Sequence, residues 1–585
     1  MSREANRRSS IGVGGDMPWL IALCGIAGLV VIGAILWLGS FVNADVRALP
    51  SAGPFQVAAA FIAGDVTPTA AQVLVTLGIF LVLGALVFVL VVAARKQQSM
   101  RSRVDYKARY MAQKRDLGKL TVEEAEKDAE RLRARQAGIG VTLATHLPSN
   151  LPLYATWEYV QIWLMGPRAG KTSCVCVPQI LETKGPVLAT SNKRDIVDLT
   201  RGPRSEEGVV WVHDVQGLIG EDADWWWNPL SFVRDMETAE KLTGIFQSSA
   251  ESADAKQDAY FSSAGRETLA RLFLAAALGN RPITDVFKWA NNPDDKLDDP
   301  ARILLEAGEV AQGRALGQTQ TLTEKQRDGV YGTIRPWIGL LGNRKVLPWI
   351  TDTGGNRPHF DPWKFVTSTD TIYLISMEGG GNARAITGAL AMAVLEAAER
   401  TGSLNAGGRL PTPLTAVLDE AANVVRWREL PDKYSHYGSR GIILSTFFQS
   451  WQQGVEAYGE TGMGKLWSAA NVRVVGSGLA EDKYLPFISQ AIGDFDAVKR
   501  SRSSQSRGGS TTTSLQRERI FDVSDLVALP AGRAVMMATQ TPAALLKLDH
   551  FSARPYAEKV KQSQDYYEAR AVERGARVLA EVGNR

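Results

Sequence analysis

Tyr159 to Leu181 reads YVQIWLMGPRAGKTSCVCVPQIL. The first seven residues, Tyr159–Met165, have the aromatic and aliphatic content of a buried strand. Gly166-Pro167-Arg168-Ala169-Gly170-Lys171-Thr172-Ser173 follows, and then an apolar stretch, Cys174 to Leu181, suited to a helix. Strand, glycine turn, Lys-Thr and helix is the phosphate-binding arrangement. Its glycines let backbone N–H groups surround a phosphate, and the helix N-terminus adds its dipole. In this pattern Gly166 to Ser173 cradle the phosphates, Lys171 reaches the outer ones, and the Thr172 hydroxyl ligates Mg²⁺. The usual spacing sets a glycine five residues before Gly170. Met165 stands there, and the first glycine is Gly166.

Leu414 to Leu418 (LTAVL) supplies the second half of such a site, because it runs into Asp419-Glu420. An apolar strand ending in this pair is the Walker B arrangement. Asp419 then holds Mg²⁺, usually through water, and Glu420 polarises the attacking water. Gly441 to Phe448 (GIILSTFF) is another buried strand, and Gln449 at its tip is placed to sense the outer phosphate or hold the water. Arg440 precedes that strand at its opposite end, the place for an arginine finger facing a neighbouring subunit. Arg426, Arg428 and Arg473 are its rivals. Asn192-Lys193-Arg194-Asp195 fits the guanine-specifying pattern of GTPases, but it comes directly after the second strand. It is therefore read as structural, and the expected nucleotide is ATP. Cys174 and Cys176 fall on different helix faces with no histidine beside them, so they are read as core. The five histidines form no H-E-x-x-H or cluster, and no zinc site is expected.

Two uncharged runs, Met17–Val42 and Ala71–Ala94, exceed the roughly 20 residues that a helix needs to cross a bilayer. Core helices of that length normally keep a polar face, and a signal h-region of roughly 7–15 residues is shorter. Both runs are expected to be transmembrane. Basic residues in the N-terminal tail and after Ala94 place both termini in the cytoplasm, giving a multi-pass inner-membrane protein. The net charge of +4 fits: residues 95–137 hold 13 basic groups against 7 acidic, and the remaining body is near neutral. The basic stretch reads as lipid-facing, and Leu120–Gln136 as a solvated helix or stalk. Three cysteines in 585 residues exclude a disulfide scaffold, and 22% charge with 45% hydrophobic residues excludes a mostly disordered chain.

Beyond the anchor, β-like runs alternate with helical patterns: Tyr159–Met165, Pro186–Ser191, Val209–His213, Thr371–Met377, Leu414–Leu418, Gly441–Phe448, Val472–Val475 and Ala534–Thr539. Alternation predicts an α/β fold with a mostly parallel sheet and sites at the carboxyl ends of its strands. Between about 236 and 345 the pattern is helical, an all-α insertion with Thr284 as a helix cap and one helix over Pro300–Ala315. The expected organisation is a cytoplasmic tail (1–16), a span (17–42), an extracytoplasmic loop (43–70), a span (71–94) and a basic helical segment (95–137). The nucleotide-binding domain follows in two parts (138–235 and 346–555) around the insertion (236–345), with a helical tail (556–585). Gly379–Asn382 and Arg500–Thr513 (RSRSSQSRGGSTTT) read as flexible. The second is basic, either a solvated loop or one facing DNA or a partner.

Together these residues resemble the type IV coupling protein family, of the TraG/TraD type, the ATPases that hand DNA to a conjugation or type IV secretion channel. The resemblance rests on the two-run N-terminus, the phosphate loop with Pro178, Ser191–Arg201 (SNKRDIVDLTR), Val210–Gly217 (VWVHDVQG) and Trp227–Leu230. It continues through Leu418–Asn423 (LDEAAN), Gly438–Gln449, Tyr458-Gly459 and Phe521–Leu529 (FDVSDLVAL). It implies a RecA-like P-loop ATPase sheet, hexameric when active, using ATP and Mg²⁺ to drive single-stranded DNA with its bound relaxase toward a type IV secretion channel. Lys171, Thr172, Asp419, Glu420 and Gln449 match the family's nucleotide motifs, and Arg440 the position of its trans arginine. Two other readings share the motor: a double-stranded DNA pump of chromosome-segregation type, and a substrate-docking receptor that turns over little ATP.

Overall fold

The computed structural model describes residues 63–64, 69–71, 74, 77–78, 81–82, 85, 104–251, 258–377, 384–424, 427–505 and 508–583. The chain divides into two compact units, Met1–Arg103 and Val104–Arg585. The second holds the sheet and the helices packed on it.

Its strands are β1 (Val141–His146), β2 (Leu151–Ala155), β3 (Gln161–Leu164), β4 (Val187–Ser191), β5 (Val210–His213), β6 (Thr371–Ile375), β7 (Leu414–Leu418), β8 (Ile442–Phe448), β9 (Val472–Gly476), β10 (Asp494–Gln505), β11 (Gly508–Arg519), β12 (Arg533–Ala538) and β13 (Thr541–Lys547). Eleven of them form one sheet in the order β2-β1-β13-β12-β9-β3-β8-β7-β4-β6-β5. The block from β9 to β5 is parallel throughout, while β12, β13, β1 and β2 extend it through antiparallel pairs. The central strands β3, β4, β6, β7 and β8 are buried along their whole length. This is why they read as continuous apolar runs rather than as alternation. Three parallel neighbours, β3, β8 and β7, bring the phosphate loop, Gln449 and Asp419-Glu420 to one edge of the sheet.

The principal helices are α1 (Val122–Arg131), α2 (Val177–Glu182), α3 (Asp195–Ser205), α4 (Met236–Ala250), α5 (Ala259–Leu278), α6 (Thr284–Asn291), α7 (Pro300–Glu306), α8 (Val310–Gln320), α9 (Glu324–Ile338), α10 (Arg384–Leu404), α11 (Leu430–Ser439), α12 (Trp451–Ala469), α13 (Tyr484–Ile492) and α14 (Ala557–Gly583). α4 to α9 follow one another with no strand among the described residues between them. The helix expected over Pro300–Ala315 is two, because Gly308 takes φ +90° between α7 and α8. Thr284 is the first residue of α6 rather than its cap, and makes no capping bond. Under β4 and β6 the buried Arg204 guanidinium donates to Thr371 Oγ1 at 2.6 Å and to the carbonyls of Thr183, Gly185 and Thr369. It thereby satisfies loop carbonyls at the end of the sheet away from the site.

Two expectations are corrected. The run 17–42 lies outside the described residues, and 71–94 meets them only at scattered positions. Among the described residues no helix is long and apolar enough to cross a membrane. This overturns the multi-pass inner-membrane placement and the topology drawn from it. The longest described helix, α14, carries charged residues in nearly every turn. Leu120–Gln136, expected to be a solvated helix or stalk, packs into the fold, and so does the basic stretch before it. Val104, Met111, Leu117 and Leu120 are buried, as are Ala125 and Ala129 of α1. Burying each large apolar side chain contributes about 1.5–3 kcal/mol, against about 1 kcal/mol for a Lys or Arg near a lipid surface. Burial therefore decides the fate of this stretch. Two of its charges are also paired inside the fold, Asp105 with Arg533 at 2.8 Å and Lys107 with Asp525.

The segment read as flexible over Arg500–Thr513 is largely a ribbon. β10 and β11 pair only with each other, in twelve consecutive pairs from Asp494–Arg519 to Gln505–Gly508. Phe495 stacks on Tyr110 at its base, with ring centroids 4.0 Å apart. Further out, the cross-strand pair Val498 and Leu515 is exposed. The loop read as flexible at Gly379–Asn382 lies outside the described residues.

Candidate nucleotide site

β3 delivers the phosphate loop between two neighbours that hold its first residues. The Met165 N–H donates to the Phe448 carbonyl at 3.0 Å on the β8 side, and the Gly166 N–H to the Ser477 carbonyl at 2.9 Å beyond β9. A Cβ on Gly166 would lie 2.1 Å from the Gly478 carbonyl oxygen, so only glycine fits there. Met165 is fully buried and occupies the space over Gly476, where an added Cβ would meet its Cγ at 2.7 Å. These two contacts explain the shifted glycine. Position 165 is filled as core, and the close backbone approach occurs one residue later. Arg168 and Gly170 then turn through the left-handed region, at φ +59° and +86°.

The helix after the loop opens with a π turn, Thr172–Cys176, before α2. Pro178 has no N–H to donate to the Cys174 carbonyl, and the wider turn absorbs the missing bond. π turns concentrate at functional positions. Cys176 is buried and Cys174 half-buried, and burial pushes both thiols up.

Gly166 to Ser173 line a cleft of about 480 Å³ together with Asp419, Glu420 and Gln449. Inside it the Lys171 ammonium sits 2.8 Å from Asp419 Oδ1 and 2.6 Å from Glu420 Oε1. Burial opposes the charge on Lys171, but the two carboxylates outweigh it and hold its pKa above the ordinary lysine value. Burial pushes Asp419 up against the pull of the ammonium. Glu420 goes the other way. Burial raises it, but Lys171 and the amides of Gln449 and Gln453 bring it below the ordinary carboxylate value. Gln449 Nε2 donates to Glu420 Oε1 at 2.6 Å, and Gln453 Nε2 to Oε2 at 3.3 Å. The Glu420 backbone is left-handed, φ +54°, a conformation retained where surroundings over-determine it. The Thr190 hydroxyl of β4 fixes the preceding carbonyl, donating to Asp419 O at 2.7 Å.

This donor set suits a magnesium nucleotide. A hydroxyl and a carboxylate are the hard oxygen donors that Mg²⁺ takes alongside phosphates, and the loop leaves room beside a buried ammonium. Lys171 is held by carboxylates whose place phosphate oxygens can take.

Arg440 is not brought into the cleft. It caps α11 at the far end of β8 and donates from Nη1 to the Gly408 carbonyl at 2.9 Å. Arg473 lies within β9 with its guanidinium 6.0 Å from the Trp467 ring, and Arg426 is outside the described residues. Three lining residues, Asn192, Lys193 and Asp195, belong to the stretch read as merely structural. Their signal was positional: they follow β4, which pairs with the Asp419 strand β7, and sites gather at such strand ends. Gln453 was missed for another reason. In Ser450-Trp451-Gln452-Gln453 it reads as a capping-box partner for the α12 N-terminus, with nothing to point it at a carboxylate.

Behind the cleft, α14 packs along α3. The Ser563 hydroxyl donates to the Asp198 carbonyl at 2.6 Å and accepts the Gly202 N–H at 3.0 Å. Arg194, beside the cleft residues, reaches the Tyr567 carbonyl at 3.0 Å. Val560 of α14 is buried against Val177 and Leu199, and Leu199 also lines the cleft.

A family model described as "TraM recognition site of TraD and TraG" matches residues 413–531. Among solved structures, the chain is similar to the bacterial conjugative coupling protein TrwBdeltaN70 in its unbound monoclinic form. The TM-score is 0.52 at 14% identity, over 72% of this chain and 91% of that one. The trigonal form in complex with sulphate gives 0.52 at 16% identity, over 72% and 92%. Plasmid coupling protein TrwB in complex with the non-hydrolysable ATP analogue ADPNP gives 0.51 at 14%, over 72% and 92%. No curated protein sequence matches the chain.

Proposed function

We propose that this chain is a member of the type IV coupling protein family and the ATP-driven motor of a conjugative type IV secretion system. It recruits relaxase-bound single-stranded DNA and drives its transfer to the secretion channel. One observation carries this reading: Lys171, Asp419, Glu420 and Gln449 converge at the carboxyl ends of β3, β7 and β8, on a sheet of the coupling-protein kind.

Each residue then has a task. Gly166 to Ser173 cradle the ATP phosphates, and Lys171 exchanges its carboxylate partners for the outer ones. Thr172 and Asp419 hold Mg²⁺, which would neutralise charge on the phosphates when bound. Glu420, kept ionised by its donors, accepts hydrogen bonding from the attacking water, and Gln449 orients it. Arg440 is proposed as the residue offered to a neighbouring subunit in a hexamer. Residues 413–531 are proposed to recognise a relaxosome protein.

The test is ATP turnover by purified protein with single- or double-stranded DNA. Stimulation mainly by single strands supports the reading. Stimulation mainly by duplex favours a double-stranded DNA pump, and DNA-independent, negligible turnover a docking receptor.

A further inference from the structure

The Gln453 side chain bonds two residues that line the cleft. Its Nε2 donates to Glu420 Oε2 at 3.3 Å, and its Oε1 accepts the Gln449 backbone N–H at 2.9 Å. The other Glu420 oxygen, Oε1, is shared by Lys171 Nζ and Gln449 Nε2, at 2.6 Å each. The turn that carries Gln453 is itself pinned. Ser450 Oγ accepts the Gln453 N–H, and the Glu481 carboxylate accepts the N–H groups of Trp451 and Gln452, all at 3.0 Å. In an ordinary capping box the third-position glutamine turns back to the N–H of the cap residue. Here it bonds the N–H one residue earlier, at Gln449, and keeps its amide NH₂ for Glu420.

We infer that Gln453 is a positioning residue for ATP hydrolysis, holding the Glu420 carboxylate and the tip of β8 in one frame. The inference rests on reading the cleft as an ATPase site. Phosphates that claim Lys171 remove one donor from Glu420. Gln449 and Gln453 then remain, one on each carboxylate oxygen, and keep the carboxylate from rotating away from the water it polarises. Gln453 touches neither phosphate nor water; it acts through Glu420.

The experiment compares full-length wild type, Gln453→Leu, Glu420→Gln and the double variant for ATP turnover and ATP binding. Gln453→Leu is expected to lower kcat about tenfold to a hundredfold, the range for losing a hydrogen bond to a charged group. ATP affinity should stay within about threefold, because the phosphate contacts remain. The double variant should be no slower than Glu420→Gln alone, since the loss is routed through that carboxylate. Gln453→Met, of similar length, is measured in parallel with thermal midpoints for both variants. An unchanged kcat in Gln453→Leu, a further multiplicative loss in the double variant, or a fall in kcat that only follows lost stability would each overturn the inference. Wild-type protein without ATP turnover would instead overturn the ATPase reading on which it stands.

Discussion

Replacing Gly166 with alanine drives a methyl group into the backbone of a neighbouring segment. The new Cβ falls 2.1 Å from the Gly478 carbonyl oxygen, 2.5 Å from its carbonyl carbon and 2.8 Å from its Cα. Ordinary contact begins at 3.4 Å, so the segments must separate by about 1.3 Å. No flexible side chain can give way at these contacts, because the three nearest atoms are all main chain. The strands leading into both segments are locked in register, with Leu164 opposite Val475. Separation first breaks the 2.9 Å bond from Gly166 N–H to the Ser477 carbonyl. Overpacking costs about 1–3 kcal/mol and a lost backbone hydrogen bond about 1 kcal/mol, so we expect a loss of about 3 kcal/mol. The loop is also displaced at its entry, so ATP binding should weaken with it. The assay is urea unfolding followed by fluorescence, with titration of a fluorescent ATP analogue. Gly464→Ala is the control, because a Cβ there meets nothing within 4 Å inside α12. It should gain about 0.5–1 kcal/mol from helix propensity. A Gly166→Ala protein with wild-type midpoint and wild-type nucleotide affinity would refute the claim that this close approach shapes the loop.

Further outcomes follow from the same geometry. Glu420→Gln should bind ATP normally and hydrolyse it at least about a hundredfold more slowly, as single-turnover measurements will show; unchanged turnover removes Glu420 from the role. Converting Arg500 and Arg502 of the ribbon to glutamine should flatten the dependence of single-stranded DNA affinity on salt by about 1.4 in log–log slope. A slope that does not move makes the ribbon irrelevant to DNA. His213 is fully buried with neither ring nitrogen hydrogen-bonded among the described residues, and burial drives its pKa down to about 3. The unfolded chain therefore binds this proton first, and stability falls as pH drops from about 6.5 toward 3, by up to about 1.4 kcal/mol per unit. In His213→Phe that part of the pH dependence of urea midpoints should vanish, and an identical pH profile would contradict it.

The sequence was most readable where burial dictates it. β4, β7 and β8 are covered on both faces, and their unbroken apolar runs announced them. Gly170-Lys171-Thr172 and Asp419-Glu420 were legible because their chemistry tolerates few other residues. β1, β2 and β13 were missed: β1 holds two Thr and a His although buried, and β2 and β13 contain Pro152 and Pro542. Neither β1 nor β13 shows alternation, since β1 is buried at all six residues and β13 at four consecutive ones. The ribbon of β10 and β11 read as flexible because its composition offers no core. Its order comes from ladder hydrogen bonds that any side chain permits. The segment from Val104 to Ala137 misled through its charge, because composition cannot show which cations are paired inside a fold. Gln453 lay hidden because the same Ser-x-x-Gln spacing serves a helix cap, and only the positions of Gln449 and Glu420 in space give it a second task.

The most direct test of the account is Mg²⁺-dependent ATP hydrolysis by the purified chain, wild type against Lys171→Ala, with and without single-stranded DNA. Lys171 is the one cation joined to both Asp419 and Glu420 among the described ion pairs, and bound phosphates would take it over. The wild type should show DNA-stimulated turnover, and the variant should lose at least about a hundredfold, with the fold intact by circular dichroism. A Lys171→Ala protein that hydrolyses ATP at the wild-type rate would contradict it.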